Sequence, residues 1–479
     1  MDADRSAEHE ERRDTAEHPA EHDELRPLRG VRVLELGNYI AAPTAGRMLA
    51  DFGAEVIKIE RPGTGDELRN WRLKRGTTSL LYRTINRNKK SVVLDLRSDE
   101  GREAVLELVR RSDIVLENFR PGTLERWGLG PDVLEEVNPE VVLVRISAFG
   151  QTGPMSARPG FAAVAEGYSG FRELVGDPDR PPVRVGVSIG DSIAGMQAAF
   201  GACMMLFDRE RRRRAIAEAA AHDALTAEAT AHDPSTAAAA PRDRPSLADR
   251  AIDVALNEAM FSVMESLVPD HSAFGEVRTR TGGRMEGIAP SNGYLCAGGK
   301  SVVIAGNGDA IFKRLMTAID RPDLAEDPEL QTNAGRWRRR DDLDEAIGRW
   351  CADREVAEVL EVMEAAEVPA GPISTAEDLV ADEQLAARGM IQHLDVSTGE
   401  ETLHDVAFPG ITPVIGGRSL PIDHLGPDLG EHTAEVLARL GLGRTDEEEP
   451  TTIQPGPVKR DQLQPVRALF SRSDPLMYR

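Results

Sequence analysis

The sequence predicts an α/β protein built on a Rossmann-like open parallel sheet. Three observations predict it. Residues 31–60 read as strand, turn, helix and strand: apolar Val31–Leu36, the turn Gly37–Pro43, helically spaced Ala45, Met48, Leu49 and Phe52, then Ala54–Glu60. That order opens a doubly wound sheet. Polar groups and glycines then recur at the C-terminal ends of strands, at Glu60 and Arg61, Asn118, Gly150 and Asp191; open α/β sheets bind ligands on that edge. Finally, 479 residues can bury a large core and hold several domains.

Residues 1–26 are charged, poor in large apolar residues and expected to form a disordered acidic tail. Residues 27–208 carry the large α/β domain. Its further elements are the strand Ser91–Leu96, the helix Asp99–Arg110 and the strands Asp113–Phe119 and Val141–Ile146. Residues 209–249 read as a low-complexity Arg/Ala-rich insertion, partly helical. Residues 250–284 give a linker helix, starting near Ile252, and a flexible loop. Residues 285–375 form the candidate smaller α+β domain: a hairpin of Gly293–Cys296 and Ser301–Ala305, then helices near 310–319, 343–351 and 356–366. Residues 376–446 hold two short strands and a closing helix, Thr433–Leu440, that Gly441 ends. Residues 447–479 read as a mobile tail.

Net charge is −23 with a pI near 5.0, which argues against a nucleic-acid partner. A local Arg cluster can still meet an anionic small molecule. Cys203, Cys296 and Cys351 are widely spaced, with no C-x-x-C, so neither a zinc site nor a redox dithiol is expected. His9, His18 and His22 are scattered among acids and read as tail rather than metal tract. The first residues are charged and no run of about 18 apolar residues occurs, so no leader and no membrane span are expected and the location is read as cytoplasmic.

Asp191 is the residue of most chemical interest. An alternating run, Val183, Val185, Val187 and Ile189, reads as a strand ending in Gly190–Asp191. A small-residue helix follows, with Ala194, Gly195, Ala198, Ala199, Gly201 and Ala202. One reading makes Asp191 or Ser192 a helix cap. The other makes Asp191 a carboxylate facing a ligand. Glu60, an acid ending the second strand, invites a dinucleotide reading, but Gly37 and Gly46 do not complete G-x-G-x-x-G.

Several stretches, in this order and spacing, resemble the class III CoA-transferase family, the CaiB/BaiF-like group of formyl-CoA and carnitine CoA-transferases. They are Leu28-Arg29-Gly30-Val31-Arg32-Val33-Leu34-Glu35, Asp51–Gly63, Asn86-Arg87-Asn88-Lys89-Lys90-Ser91, Glu117-Asn118-Phe119-Arg120-Pro121-Gly122 and Gly190–Asp191. The resemblance spans about residues 28–442. It implies a large domain built from both chain ends, with residues 376–446 returning to it, a smaller domain, and two subunits interlocked as a homodimer. It implies that Asp191 attacks an acyl-CoA thioester and carries CoA to a small carboxylic acid through anhydride and aspartyl-CoA intermediates. CoA is then a substrate, and no separate cofactor or metal is implied. The resemblance places Tyr39, Ile40 and Ala41 along the CoA site and gives its phosphates and adenine end to Arg61, Asn118 and Arg126. Gly282–Gly283 falls where some members carry a longer glycine run over the catalytic Asp. Segments 264–269 and 287–292 are similar to members that use succinyl-CoA and dicarboxylates.

Related acyl-CoA racemases carry a His–Asp pair after Arg-x-Gly; here Arg158-Pro159-Gly160 is followed by Phe161-Ala162, which supplies no imidazole base. Transfer is therefore preferred over racemisation or isomerisation. A non-catalytic member of the family is the other alternative.

Overall fold

The computed structural model describes residues 25–229, 245–417 and 419–442. The bulk of both expected tails and the centre of the 209–249 insertion lie outside the described residues. Short apolar runs form β1 (Arg32–Glu35), β2 (Glu55–Glu60), β3 (Lys89–Val93), β4 (Ile114–Glu117), β5 (Val142–Ser147) and β6 (Ile252–Ala255). They make one sheet in the order β3-β2-β1-β4-β5-β6, with every neighbouring pair parallel. The chain reverses its direction of growth between β1 and β4. In such sheets that junction opens a crevice at the strands' C-terminal ends.

Five helices matter for the site: α1 (Ala41–Asp51), α2 (Asp99–Arg110), α3 (Ala162–Tyr168), α4 (Ile189–Ala229) and α5 (Leu256–Phe261). One face of the sheet packs Val33, Val56 and Val144 against Ala45, Leu49, Ala194, Ala198 and Ala202. The other packs Leu34, Val115 and Leu143 against Val105 and Leu108. Burial on both faces explains why β4 and β5 are near-continuous apolar runs rather than alternating ones.

The second body has its own core. It is an antiparallel sheet of β7 (Ser291–Leu295), β8 (Ser301–Ala305) and β9 (Ala370–Pro372), covered by α6 (Asp309–Ala318), α7 (Arg340–Ala352) and α8 (Val356–Ala365). A hairpin, β10 (Ile391–Ser397) with β11 (Thr402–Pro409), follows. The chain then returns to the large domain: α9 (Thr433–Leu440) buries Val436 in the core of the first sheet. Gly441, at φ 75°, ends α9 as expected.

Three elements differ from the sequence reading. The alternating valines before Asp191 form no strand; residues 181–188 are irregular, and Val183 and Val187 are exposed. Alternation predicts a strand only where an open sheet edge accepts one. The edge beyond β5 is instead taken by Ile252–Ala255, which the sequence reading placed in a helix. The Arg run 209–214 continues α4 rather than opening a loop. Arg209 reaches Asp113 at 2.7 Å, and Arg211, Arg212 and Arg213 pair with Asp208 and Glu210 one turn back. The stretch Ile189–His222 is long and apolar enough to cross a membrane by length and composition. Its small-residue face nevertheless lies in the protein core, against α1 and the sheet.

Beneath the β1–α1 turn lies a fully buried ionic cluster. Glu35, at the end of β1, accepts from Lys58 of β2 at 3.0 Å and from Lys89 of β3 at 2.7 Å. Lys58 also meets Asp66 at 2.9 Å and donates to the Gly37 carbonyl at 2.6 Å. Lys89 also donates to the Pro43 carbonyl at 2.7 Å and to Asn86 Oδ1 at 2.9 Å. Burial opposes ionisation of Glu35, but the two ammonium groups outweigh it and hold its carboxyl below the usual range. Burial depresses Lys89 to about 8, whereas Lys58 is raised because Asp66, Glu35 and Glu60 together overcome its burial. Removing one charge from such a cluster leaves the others uncompensated. Glu35→Gln is therefore expected to destabilise the protein by about 3–5 kcal/mol, read as a lowered midpoint of urea unfolding.

Candidate active site

Asp191 occupies the third position of α4, where the helix starts against α1. Gly195 makes that approach possible: a Cβ there would lie 2.7 Å from the Ala41 carbonyl and 2.8 Å from Thr44 Cβ. Gly190 turns inward, onto Ala162, Met260 and Glu166, so it serves packing between α3, α4 and α5 rather than access for a ligand. Neither expected cap is present. Ser192 Oγ donates back to the Ser188 carbonyl at 2.9 Å, and the Asp191 carboxylate has no hydrogen bond among the described residues.

That carboxylate lines a cavity of about 940 Å³ with Tyr39, Ile40 and Ala41 of the β1–α1 turn, Asn118, Phe119 and Arg120 after β4, and Phe161 before α3. Trp71, Arg72, Arg184 and Ser188 also line it. The cavity therefore sits at the β1/β4 junction. Burial raises the Asp191 carboxyl to about 6; the Glu166 carboxylate adds to the rise and Arg184 opposes it. Glu166 is itself fully buried on α3. Its Oε2 accepts from Arg172 at 3.2 Å, while its Oε1 is buried without a hydrogen bond.

Tyr39 adopts φ 64°, and its amide donates to Asp66 Oδ1 at 3.1 Å. Its ring meets Trp71 at 5.3 Å and Phe161 at 6.0 Å between centroids, forming an aromatic trio on the cavity wall. Asn118 is committed to the fold: its side chain accepts from the Asn38 amide at 2.9 Å and donates to the Asn38 carbonyl at 2.7 Å. That pair ties the end of β4 to the β1–α1 turn.

The remaining expected residues lie elsewhere. Arg61 lines a neighbouring cavity of about 230 Å³ with Asn38, Thr64, Arg97, Phe119 and Trp127. It pairs with Glu67 and donates to the Gly65 carbonyl at 3.2 Å. Phe119 is a wall common to both cavities. Arg126 lines neither and bonds Thr123 Oγ1 at 2.9 Å. Gly282–Gly283 also lines neither: Gly282 N donates to the Gly176 carbonyl at 3.1 Å, and Arg284 is tied to Asp344 at 2.6 Å. Glu60 is no ribose acceptor. Five donors surround it, on Asp66, Arg69, Tyr82 and Ser91, and hold it near about 2 despite burial.

Sequence reasoning missed Trp71, Arg72, Arg184 and Glu166. Arg184 stands seven residues before Asp191, so its nearness in sequence was a usable signal; Glu166 comes from a separate helix, and its nearness to Asp191 belongs to the fold. Trp71 and Arg72 had none, since a positive φ at Arg72 of 62° leaves no mark on composition.

Comparison with known proteins identifies the family. The model of CoA-transferase family III matches residues 28–216 and 212–433. Succinyl-CoA–D-citramalate CoA-transferase of Chloroflexus aurantiacus is 38% identical over 424 residues, 88% of this chain and 96% of that one. The succinyl-CoA–L-malate CoA-transferase alpha subunit of the same organism is 35% identical over 426 residues, 88% of this chain and 90% of that one. The crystal structure of a CAIB/BAIF family protein from Brucella suis superposes with a TM-score of 0.68 at 29% identity, covering 86% of this chain and 99% of that one. The chain belongs to CoA-transferase family III and is an enzyme of CoA transfer.

Proposed function

We propose that the chain moves CoA from succinyl-CoA to a dicarboxylic acid, with Asp191 as the nucleophile. The observation that carries the reading is the Asp191 carboxylate itself, poised in the larger cavity without a hydrogen bond among the described residues and raised to about 6. A carboxylate of that basicity is mostly ionised at neutral pH and needs no general base, while the loss of solvation makes it more reactive. The substrate names come from the relatives, whose acceptors D-citramalate and L-malate are both dicarboxylic acids.

The proposed cycle has four steps. Asp191 attacks the thioester carbonyl and expels CoA thiolate, giving an acyl–aspartyl anhydride. The thiolate attacks the Asp191 carbonyl and releases the donor acid, leaving an aspartyl-CoA thioester. The acceptor carboxylate attacks that thioester, expels the thiolate and forms a second anhydride. The thiolate then attacks the acceptor carbonyl, releasing the new thioester and free Asp191. Each tetrahedral oxyanion forms beside the start of α4, whose first amides precede the first intrahelical bond, from Ser192 N to the Ser188 carbonyl. The pantetheine arm runs along Tyr39–Ala41. The nucleotide end reaches past Phe119 toward Arg61 and Arg97 in the smaller cavity, a route that gives Arg126 no part and leaves Asn118 as a positioning residue. Racemisation is disfavoured because Phe161, not an imidazole, lines the cavity.

We further read the enzyme as a homodimer. On α4, Met196, Phe200, Met204 and Phe207 form one apolar stripe at helical spacing, with Phe200 66% and Phe207 73% exposed in the single chain. A stripe of that kind marks a protein interface.

Four outcomes check these assignments. Incubation with succinyl-CoA should add CoA to the Asp191 peptide by mass, and Asp191→Ala should abolish both adduct and transfer; full transfer by that variant overturns the nucleophile. The acidic limb of kcat/KM should fall about tenfold per pH unit below pH 6. Glu166→Gln, by removing the carboxylate that helps raise Asp191, should move that limb to lower pH. Phe207→Asp should shift the sedimentation mass from two chains toward one.

A further inference from the structure

The larger cavity is electropositive although the chain carries −23. Its charged lining consists of Arg72, Arg120 and Arg184 against Asp191 alone. Among the described residues, none of these three guanidinium groups is held in an ion pair. All three are exposed to solvent at the cavity, whereas the buried arginines Arg87, Arg145 and Arg209 are paired with acids.

The three fall into two places. Arg120 follows Phe119, the wall shared with the smaller cavity, where Arg61 and Arg97 also sit. It belongs with the phosphate end of CoA. Arg184 lies at the reacting end, near enough to Asp191 to oppose the rise of its carboxyl. Arg72 follows Trp71, whose indole packs on Tyr39 of the same wall. Its backbone at φ 62°, like that of Tyr39 at 64°, is a conformation non-glycine residues adopt at an energetic cost.

A monocarboxylic acid presents its single carboxylate to the Asp191 adduct and leaves Arg72 and Arg184 unmatched. A dicarboxylic acid brings a second anion close to the partly buried Asp191, which is unfavourable without a cation. A guanidinium meets a carboxylate through two parallel hydrogen bonds.

We propose that Arg72 and Arg184 form the receptor for the distal carboxylate of a dicarboxylic substrate, and so set the enzyme's choice of acid. The inference rests on the CoA-transfer reading above and names the residues that give it its substrate class.

The test compares self-exchange of two matched pairs by mass: labelled succinate into succinyl-CoA, and labelled butyrate into butyryl-CoA. Butyryl is close in shape to succinyl without the distal carboxylate. Wild-type enzyme should strongly favour succinate. Arg184→Gln and Arg72→Gln should each lower the succinate-to-butyrate ratio of kcat/KM by about 10- to 100-fold, and Arg184→Lys should restore part of it. The ratio cancels any change in the reactivity of Asp191. Equal losses for both acids in the variants, or no preference in the wild type, overturn the receptor. If the wild type forms the Asp191 adduct yet exchanges neither acid, the receptor alone falls. If no adduct forms with either acyl-CoA, the CoA-transfer reading falls with it.

Discussion

Two ammonium groups sharing one buried carboxylate hold the turn on which the cavity is built. Lys58 and Lys89 meet Glu35 inside the sheet, and each gives a further hydrogen bond to a backbone carbonyl, Gly37 and Pro43 respectively. Those carbonyls bracket Tyr39, Ile40 and Ala41. Asp66, paired with Lys58, also receives the Tyr39 amide. A well-packed apolar cluster could match such a group in stability. It could not supply directional donors to the turn's backbone. The charges therefore act through geometry: they fix a turn whose central residue is held at positive φ.

From that turn the constraint passes to Asp191. The turn runs directly into α1, and α1 receives α4 at Gly195, where there is no room for a Cβ. Asn118 closes the other side by pairing with both backbone groups of Asn38. The carboxylate, the aromatic trio and the strand ends therefore share one rigid frame. The residues of least regular backbone, 181–188 with Arg184, approach the cavity from outside it.

The parallel sheet was legible because strand–turn–helix order and helix length are local properties of the chain. The place of Asp191 at a helix start was legible because small residues follow it. The valines before it misled, since alternation says nothing about whether a sheet edge is free, and Ile252–Ala255 had taken that edge. Glu60 looked like a ligand for ribose for a similar reason. Its position at a strand end was visible, but the five donors that occupy it come from residues 66–91, after the strand. Charges within the strands themselves, Glu35, Lys58 and Lys89, were the underused signal. In a sheet buried on both faces they must find one another.

The raised basicity of Asp191 also bears on how the proposed cycle advances. In the first anhydride, thiolate can attack either carbonyl. Attack on the acyl carbon expels Asp191, whose carboxyl is raised to about 6, and merely reverses the step. Attack on the Asp191 carbon expels the donor acid, whose carboxyl has a pKa of about 4 to 5 in water and leaves toward solvent. The less basic group leaves more readily, so burial of Asp191 biases the anhydride forward, to the aspartyl-CoA thioester. Acylation also removes the Asp191 charge, which its burial and the neighbouring Glu166 carboxylate disfavour. Both effects stabilise the loaded enzyme relative to the free one. The same bias opposes the last step, which must expel Asp191, and there Arg184 acts in the useful direction: a cation beside the departing carboxylate stabilises it as it regains its charge. A single guanidinium near Asp191 thus moderates the basicity that burial creates, and the balance between the two sets how readily CoA is both accepted and given up.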